Sequence, residues 1–582
     1  MPEAALFDLH LSDANWLSLL SWRKSAPDKL RKAAGKGDMT AFGQHLLGKD
    51  ARLPSKKRKV LSDAWSSTGI PTGDQQSTGE FVAELIGHGL PNADRVTHVL
   101  QGLGLLIGVD ESELSADQFA ALWRWCLSAA IALMDGPPAT EAADTLQRLL
   151  LEAELPLVAG YVFRDLKQSR DWMDQGQKAW ASWWEDQTDG DGSVHARWLP
   201  HVLPLLQSFA RSESIAGLEE ATLLSGSVRH RFEQAAEKLM SLVTPGRLID
   251  FSSNSNSESL QEFSNALAQL EIKKSHPVRQ FLQTAQAQEA GANISRWELP
   301  DESHQSDWTE WAALRNSWTE EVDQVLVRYD GDLPWLDVVL SGQPVFSGAW
   351  GHKLSLGKKV WQPKTEWSAV CFFSDEESDF IELQQQDSEL GLTCNRQIIL
   401  NKIESLLMFV DVIRLQQPQE MTLQSTLNLT APAMNLQQDA LTRESVLIQG
   451  RQRVRVLPVA WPQDRFAPAS GGLELQGGRL TFTQSTKASA LCVPVVFDAK
   501  ATRRTKPVDW TRLTIAEDGR YVDATEAFGV RFRIGREQWL YFHNLNKPAI
   551  PRTVMGLHTS NETVYARVSR QGQYEPLVQV EL

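Results

Sequence analysis

The sequence predicts an α+β multidomain protein, with an all-helical N-terminal domain followed by a large antiparallel β-sandwich. The first observation is length, because 582 residues exceed the roughly 250 to 300 at which one hydrophobic core stops growing. The second is apolar spacing of three and four residues from Asp13 to about Val243, which is typical of helices. The third is the change of that spacing to two after Val325, which is typical of strands.

The helical domain is expected to cover 1–250. Apolar residues of one helix face recur in Phe81, Val82 and Leu85, and breaks fall at Pro91 and at the turn 189–192. Helices joined by short loops bury their apolar faces by pairing with neighbours, in a bundle, a solenoid or a toroid.

A connector is expected at 251–324. Its first residues, 251–259, read FSSNSNSES and have the composition of an exposed hinge. Helical spacing then resumes from Leu260 to about Gln288, and four tryptophans follow, at Trp297, Trp308, Trp311 and Trp318. We therefore expect a helical segment that buries large aromatic area.

The sandwich is expected at 325–582. Alternating apolar residues between Gly, Asp, Asn and Pro turns predict strands in antiparallel sheets. The predicted strands are 336–340, 369–373, 380–384, 392–400, 406–413, 454–457, 479–483, 490–497, 529–534, 538–542, 564–568 and 577–580. The short turn 401–404 places Arg396 and Asp411 on adjacent strands.

Charge and composition exclude several classes of protein. The net charge of −15 argues against binding of nucleic acid by the whole surface. The segment 23–59 departs from this, with twelve Lys or Arg against three Asp, and it is interpreted as a solvated basic face, an anion-binding surface or a targeting signal. The most apolar stretch, Leu122 to Met134, is shorter than the ~20 residues of a membrane span, so no membrane partner is expected.

The compartment is predicted from the N-terminus and the cysteines. The chain begins MPEAALFDLH, without the positive charge and apolar run of a secretory signal. Its four cysteines lie far apart and without CxxC spacing, which supports neither disulfides nor zinc. A cytoplasmic protein is expected, with an oligomeric state that the sequence leaves open.

Common catalytic motifs are missing from the sequence. It contains no Walker A, HExxH or GxSxG motif. The glycines of Gly102 to Gly108 have the wrong spacing for a dinucleotide loop and lie within helical pattern. No cofactor is expected.

The segment Asp189 to Leu206, DGDGSVHARWLPHVLPLL, is the strongest candidate site. An acidic turn leads into a helix start that carries His195, Arg197, Trp198 and His201. Two imidazoles and a guanidinium could neutralise a uronate carboxylate and move protons, with either histidine as base or acid. The alternative is that both histidines are ordinary residues beside a capped helix.

Tryptophan outnumbers tyrosine by 21 to six, which suggests stacking on sugar rings. Trp180, Trp183, Trp184 and Trp198 flank the acidic turn, and we expect one or two of them to be exposed. The only tyrosine of the main helical domain, Tyr161, lies in an apolar helical context that favours core packing over catalysis.

The segment 189–206 resembles the toroid motif of heparinase II/III-like and alginate lyases, in which a DG turn precedes an acidic-Arg stretch and a Tyr-His pair. Asp191, Gly192 and Arg197 correspond, whereas Ala196 replaces the acidic residue and His201 with Val202 replaces the pair. Two further segments, 313–350 with Arg315 and Trp318 and 391–413 with Arg396 and Asp411, are similar to the start and to paired strands of the lyase sandwich.

The resemblance implies a toroid-like helical domain, a β-sandwich and cleavage of an acidic glycan by β-elimination. It implies catalytic roles for His195, Arg197 and His201 and substrate binding by Trp183, Trp184, Trp198 and Arg315. The His-rich turn of active relatives is replaced by 330–337, DGDLPWLD, so no metal is expected. The alternative is a noncatalytic carbohydrate-binding or scaffold protein that keeps the fold.

Overall fold

The computed structural model describes residues 11–48, 65, 75–87, 95–109, 113–136, 145–219, 221–244, 246–249, 251, 257–270, 272, 276–279, 281, 300–545 and 550–581. The chain divides into two compact units. The helical unit comprises 1–194, 198–237 and 256–298, and the sheet unit comprises 195–197, 238–255 and 299–582. Lys56 to Lys59, the densest part of the basic segment, lie outside the described residues.

Helices form in the N-terminal part, as the spacing predicts. They are α1 (Asp13–Ser18), α2 (Asp28–Lys36), α3 (Met39–Leu47), α4 (Gln75–Gly87), α5 (Val96–Gly108), α6 (Ala116–Met134), α7 (Thr145–Leu149), α8 (Leu155–Val162), α9 (Ser169–Asp186), α10 (Val202–Leu218), α11 (Gly226–Leu239) and α12 (Ser257–Gln269). A π-helical turn, Leu150–Glu154, joins α7 to α8, and short 3₁₀ turns cover Ala196–His201 and Met240–Leu242. No helix of the described ranges is long and apolar enough to cross a membrane.

Neighbouring helices pack in pairs, with α3 and α5 against α6, α8 against α9 and α10 against α12. Helix α6 shows why they form: Ser115 and Gln118 make a capping box at its start, which satisfies two backbone N–H groups that the helix itself leaves free. Its apolar residues, Phe119 and Trp123 among them, are buried.

All strands pair in antiparallel fashion. They are β1 (Val243–Thr244), β2 (Arg247–Leu248), β3 (His304–Ser306), β4 (Trp311–Arg315), β5 (Gln324–Arg328), β6 (Trp335–Leu340), β7 (Gln343–Ala349), β8 (Gly351–Leu356), β9 (Lys359–Val360), β10 (Ser368–Ser374), β11 (Ser378–Asp387), β12 (Leu392–Asn401), β13 (Leu406–Asn428), β14 (Asn435–Gln438), β15 (Ser445–Gln449), β16 (Gln452–Leu457), β17 (Gly471–Gln476), β18 (Arg479–Asp498), β19 (Val508–Arg512), β20 (Ile515–Glu517), β21 (Arg520–Tyr521), β22 (Ala527–Ile534), β23 (Glu537–Asn544), β24 (Arg552–Val554), β25 (Leu557–Thr559), β26 (Thr563–Val568) and β27 (Tyr574–Val580). Each strand predicted from the sequence lies within one of these.

The strands of the sheet unit form a stack of sheets. Strands β3 to β7 make a five-stranded meander, and an eleven-stranded sheet contains β8 to β18. A second five-stranded sheet has the order β19-β22-β23-β26-β27, and a four-stranded sheet has the order β21-β20-β24-β25. The short strands β1 and β2 pair with each other.

Alternate residues of one strand serve two different cores. In β13, Leu407 and Phe409 belong to the core shared with the meander, whereas Met408 and Val410 belong to the core shared with the second five-stranded sheet. The same alternation in β23 connects that sheet to the four-stranded one. The β region is therefore a multilayered sandwich, with strands buried on both faces.

The predicted pairing of Arg396 with Asp411 is confirmed. The two residues are opposite each other on β12 and β13, and the guanidinium Nε lies 3.0 Å from the carboxylate. The predicted strands 479–483 and 490–497 prove to be two parts of one long strand, β18.

The predicted helical character of the connector 251–324 is wrong for its C-terminal part, and the boundary at 325 is misplaced. Helix α12 fills part of the connector, but β3 and β4 already belong to the meander, so the sheets begin at His304. All five residues of β4 are buried, and a continuous apolar run does not distinguish a buried strand from a helix.

Candidate active site

The acidic turn 189–192 is fixed by its own hydrogen bonds. The N–H of Ser193 donates to Asp191 Oδ1 at 2.8 Å, and Ser193 Oγ donates to Asp191 Oδ2 at 2.9 Å. Gly192 has φ +87°, and a Cβ there would lie 2.4 Å from the Gln234 Cβ, so only glycine is accommodated without strain.

The tryptophans that flank the turn are buried in the helical unit. Trp180, Trp183, Trp184 and Trp198 are at most 8% exposed, so the expectation that one or two would be exposed is wrong. Trp183 packs edge-to-face against both Trp184 and Trp198, with ring centroids 4.7 Å apart. Trp180, Trp183 and Trp184 lie on the buried face of α9, and Trp198 lies in the 3₁₀ turn Ala196–His201. The predicted role of Trp183, Trp184 and Trp198 in substrate binding stays a prediction.

His201 also belongs to the helical unit. It is half-buried, and its ring lies 6.5 Å from that of Trp198. The indole Nε1 of Trp198 donates to Gln187 Oε1 at 3.0 Å, which fixes the ring beside His201. A catalytic role for His201 stays a prediction.

His195 and Arg197 belong to the sheet unit. The N–H of Ala196 donates to the Thr309 carbonyl at 2.7 Å, which ties this short segment to the turn between β3 and β4. Thr309 is fully buried, and its own N–H and hydroxyl bond to Ser306. A rigid turn therefore holds His195 in place.

The structure brings His195 together with Glu310, which the sequence analysis did not single out. His195 Nε2 lies 3.6 Å from Glu310 Oε2, and the Arg197 N–H donates to His195 Nδ1 at 3.2 Å. Because Nδ1 accepts that bond, the neutral imidazole carries its proton on Nε2, which faces the carboxylate. At 3.6 Å the two groups are in contact but not hydrogen-bonded, so the His195 Nε2–H can donate to a ligand and the Glu310 carboxylate can accept a proton from it.

Surrounding charges and burial shift both groups towards their neutral forms. Burial lowers the pKa of His195, as does nearby Arg197, while Asp330 acts in the opposite sense. Burial also raises the pKa of Glu310, reinforced by Asp330 and Glu366 and opposed by Arg197. A carboxylate with a raised pKa is a stronger base than one in water.

An exposed aromatic ring and an exposed cation complete the group. The Trp308 side chain is 46% exposed, and its ring lies 5.3 Å from that of His195. Arg197 is exposed. We define the candidate site as His195, Arg197, Trp308, Glu310 and Asp330.

Arg315 lies in the core of the sheet unit. It is 2% exposed and donates to the carbonyl of Val243 at 2.6 Å and to Gln324 Oε1 at 2.5 Å. Its guanidinium also lies over the Trp318 ring, 4.1 Å from the centroid, and burial lowers its pKa to about 9. These contacts stabilise the core of the sheet unit. The predicted role of Arg315 in substrate binding stays a prediction.

Among the residues that the structure describes, no group of three or more His, Cys, Asp or Glu could hold a metal ion. The candidate site has two carboxylates and one imidazole, but the Nδ1 of that imidazole is already used and its Nε2 carries a proton. The arrangement is suited to hydrogen bonding and proton transfer.

The sequence matches no protein-family model and no curated protein. The structure, in contrast, is similar to solved structures along nearly its whole length. Heparinase III is 13% identical, with a TM-score of 0.57 over 92% of this chain and 83% of that chain. The heparan sulfate lyase HepC from Pedobacter heparinus is 11% identical, with a TM-score of 0.57 over 91% of this chain and 98% of that chain. At these identities the likeness shows a shared fold: this chain has the fold of heparinase III.

Proposed function

We propose that this protein is a polysaccharide lyase that cleaves an acidic glycan by β-elimination at the candidate site. The observation that carries the proposal is the contact between His195 and Glu310, beside an exposed guanidinium and an exposed indole. β-Elimination from a uronic acid requires a base near C5 and cations or donors near the carboxylate. The heparinase III fold supports the same reaction class, although a fold alone does not assign activity.

The roles follow from the tautomer and the charges. Ionised Glu310 removes the C5 proton, and the released electron pair forms the C4–C5 double bond while the C4–O4 bond breaks. The protonated Glu310 then delivers that proton to O4. The Nε2–H of His195 and the guanidinium of Arg197 stabilise the negative charge that develops on the uronate carboxylate.

Trp308 supplies the surface on which the sugar is held. An indole face packs on the apolar face of a pyranose ring, and the exposed Trp308 ring lies 5.3 Å from that of His195. Asp330 lies near both titratable groups and helps to keep the pKa of Glu310 raised. The substrate class is thus an oligosaccharide or polysaccharide that contains uronate.

The test is incubation with a panel of uronate-containing oligosaccharides, followed by ultraviolet absorbance, because elimination leaves a double bond conjugated with the carboxylate. We expect product from the wild type and a loss on the order of 100-fold in His195→Ala and Glu310→Gln. Arg197→Ala is expected to raise KM and lower kcat. The substrate carboxylate loses a partner when it binds, and the negative charge that develops on it in the transition state loses the same partner.

His201→Ala is the matched control, since it removes an imidazole from the helical unit. The proposal expects His201→Ala to retain turnover. Full activity in Glu310→Gln, or loss in His201→Ala with activity kept in His195→Ala, would show that the wrong group was chosen.

A second candidate function is noncatalytic carbohydrate binding. The exposed Trp308 beside Arg197 favours it, because an indole and a cation suffice to hold an acidic sugar without chemistry. Binding of the panel without any unsaturated product would support this function. Trp308→Ala should then weaken binding, whereas Glu310→Gln should leave it unchanged.

A further inference from the structure

A second feature of the sheet unit lies at one end of the sheet that contains β23, β26 and β27. A pocket of about 840 Å³ is lined there by Arg536, Arg567 and Arg570, with Gln538, Gln573 and Tyr574. Ligand pockets in proteins commonly measure roughly 300 to 1,000 Å³. The volume is that of a site for a small molecule or a segment of a polymer, larger than a single inorganic ion needs.

The pocket carries positive charge that its own carboxylates do not neutralise. Glu537, one of its two acidic residues, lies 3.6 Å from Arg503, which is buried behind it. Arg567 lies 3.7 Å from Glu404, but Lys500 and Arg503 are nearer to that same carboxylate, at 3.3 and 3.0 Å. Arg503 also bonds to Asp498 at 2.8 Å, so Arg567 keeps a carboxylate partner in Glu404, and the excess positive charge of the pocket lies on Arg536 and Arg570.

The remaining two guanidiniums project from hairpin ends. Arg536 and Arg570 are exposed, and the second acidic residue of the pocket, Glu575, is directly opposite Arg567 on the neighbouring strand. Three arginines therefore face two glutamates, one of which already has a buried partner. The local excess is positive in a chain whose net charge is −15.

The walls of the pocket are held before any ligand arrives. The hairpin end 569–573 is fixed by bonds from the Ser569 N–H to the Gln573 carbonyl at 2.8 Å and from the Gly572 N–H to the Ser569 carbonyl at 3.0 Å. The Tyr574 hydroxyl donates to the Met555 carbonyl. A preformed wall lowers the entropy lost on binding.

We propose that this pocket binds an acidic oligosaccharide segment, apart from the candidate active site. Guanidiniums match carboxylate and sulfate oxygens in paired hydrogen bonds, while Gln538, Gln573 and Ser569 offer neutral donors and acceptors for hydroxyl groups. The inference deepens the proposed function by adding a second contact for an acidic glycan. It does not depend on turnover, because binding here uses none of the candidate active-site residues.

The experiment measures binding of a heparan sulfate hexasaccharide to the full chain in the His195→Ala background, with hydrogen exchange of segments 534–540 and 567–576 as the local readout. Arg536→Ser/Arg570→Ser is expected to lower the affinity at least about tenfold and to abolish protection of both segments. Arg451→Ser/Arg479→Ser removes two exposed arginines elsewhere in the sheet unit and is expected to change neither.

The glycan assignment is overturned by equal losses in the two double variants, by unchanged protection in Arg536→Ser/Arg570→Ser, or by equal protection from inorganic sulfate or a single-stranded oligonucleotide of matched charge. Failure of the lyase proposal can be distinguished from failure of this inference. Pocket protection in His195→Ala, with no unsaturated product from the wild type, contradicts the lyase proposal alone. Product from the wild type, without pocket protection in His195→Ala, contradicts this inference alone.

Discussion

At the scale of single residues, Glu310, the proposed base, has an unfavourable backbone conformation. Its φ is +60°, in the left-handed region that residues with a Cβ rarely adopt. The strain is balanced by bonds on both sides, from the Glu310 N–H to the Ser306 carbonyl and from the Tyr329 N–H to the Glu310 carbonyl. Such conformations cluster at functional sites, where surrounding structure holds them.

The strain predicts a difference between two substitutions of Glu310. Both Glu310→Gly and Glu310→Ala remove the carboxylate, but only glycine relieves the left-handed backbone. We expect the glycine variant to have a free energy of unfolding higher by about 1 kcal/mol, measured by urea denaturation. Equal stabilities would mean that the backbone at Glu310 is not strained.

The charges predict the pH dependence of turnover. The base is ionised Glu310, whose pKa is raised above 4.5, so kcat/KM should rise with pH through an apparent pKa above that value. Arg197 lowers the pKa of Glu310, and Arg197→Ala should therefore move this limb to higher pH. A limb that stays in place in Arg197→Ala, or persists in Glu310→Gln, would assign the titration to another group.

Sequence reasoning could find only part of the candidate site. His195 and Arg197 stand beside a recognisable acidic turn, whereas Glu310 and Trp308 lie far along the chain and belong to no motif. Their proximity arises because the Ala196 N–H bonds to the Thr309 carbonyl, a long-range contact that local spacing does not encode. Trp308 was noticed, but as part of a helical connector.

At the scale of elements, periodicity predicted the buried start of β13, 406–413, but not β4, although both are buried at every position. In β4, the sequence WAALR is buried at every position, so the alternation that marks a half-exposed strand is missing. The tryptophans around β4 have the spacing that is typical of a helix, and this segment was therefore predicted to be helical. The adjacency of β12 and β13 was predicted correctly, because the short turn between them leads one strand back along the other.

The ion pair between β12 and β13 carries a prediction about stability. Arg396 is fully buried and donates to Asp411 and to the Trp350 carbonyl, the latter at 2.6 Å. Asp411→Ala leaves a buried cation without its carboxylate, which should lower the free energy of unfolding by about 3 kcal/mol, measured by urea denaturation.

The matched control is the exposed pair of Lys364 and Glu389. Glu389→Ala is expected to leave the denaturation midpoint unchanged, because solvent screens an exposed pair. Similar midpoints for Asp411→Ala and the wild type would show that the buried guanidinium is satisfied by carbonyls alone.

At the scale of the whole molecule, the order of a helical part followed by a sheet part was predictable, and the stacking of sheets was not. The run LLMFVDVI in β13 is apolar at nearly every position, which indicates burial on both faces. The run does not identify the sheets that pack against its two faces. That information lies in contacts between strands far apart in the sequence.

A buried neutral histidine links folding to pH. His304 lies in the sheet unit, and burial, with Lys238 nearby, lowers its pKa from 6.5 to about 3. Below pH 6.5 the imidazole of His304 binds a proton in the unfolded chain but not in the folded chain. The free energy of unfolding therefore falls as pH decreases. The contribution of one such group approaches about 1.4 kcal/mol per pH unit.

The prediction concerns the difference between the wild type and His304→Gln. Between pH 7.5 and 5.5, the wild type should lose about 1 kcal/mol more of its free energy of unfolding than the variant does, measured by urea denaturation at both values. Buried carboxyls such as Glu382 are common to both proteins and cancel in the comparison. Equal losses of the free energy of unfolding in the two proteins would show that the pKa of His304 is not lowered in the folded state.

The most direct test of elimination at the candidate site is mass spectrometry of the products formed from a uronate-containing oligosaccharide in water enriched with heavy oxygen. Elimination adds no water, so each cleavage should give one unsaturated and one saturated product, both without heavy oxygen, and their masses should sum to that of the substrate. Glu310→Gln should form the same products about 100-fold more slowly. Products that carry one heavy oxygen atom, or unsaturated products formed equally well by Glu310→Gln, would contradict elimination at the candidate site.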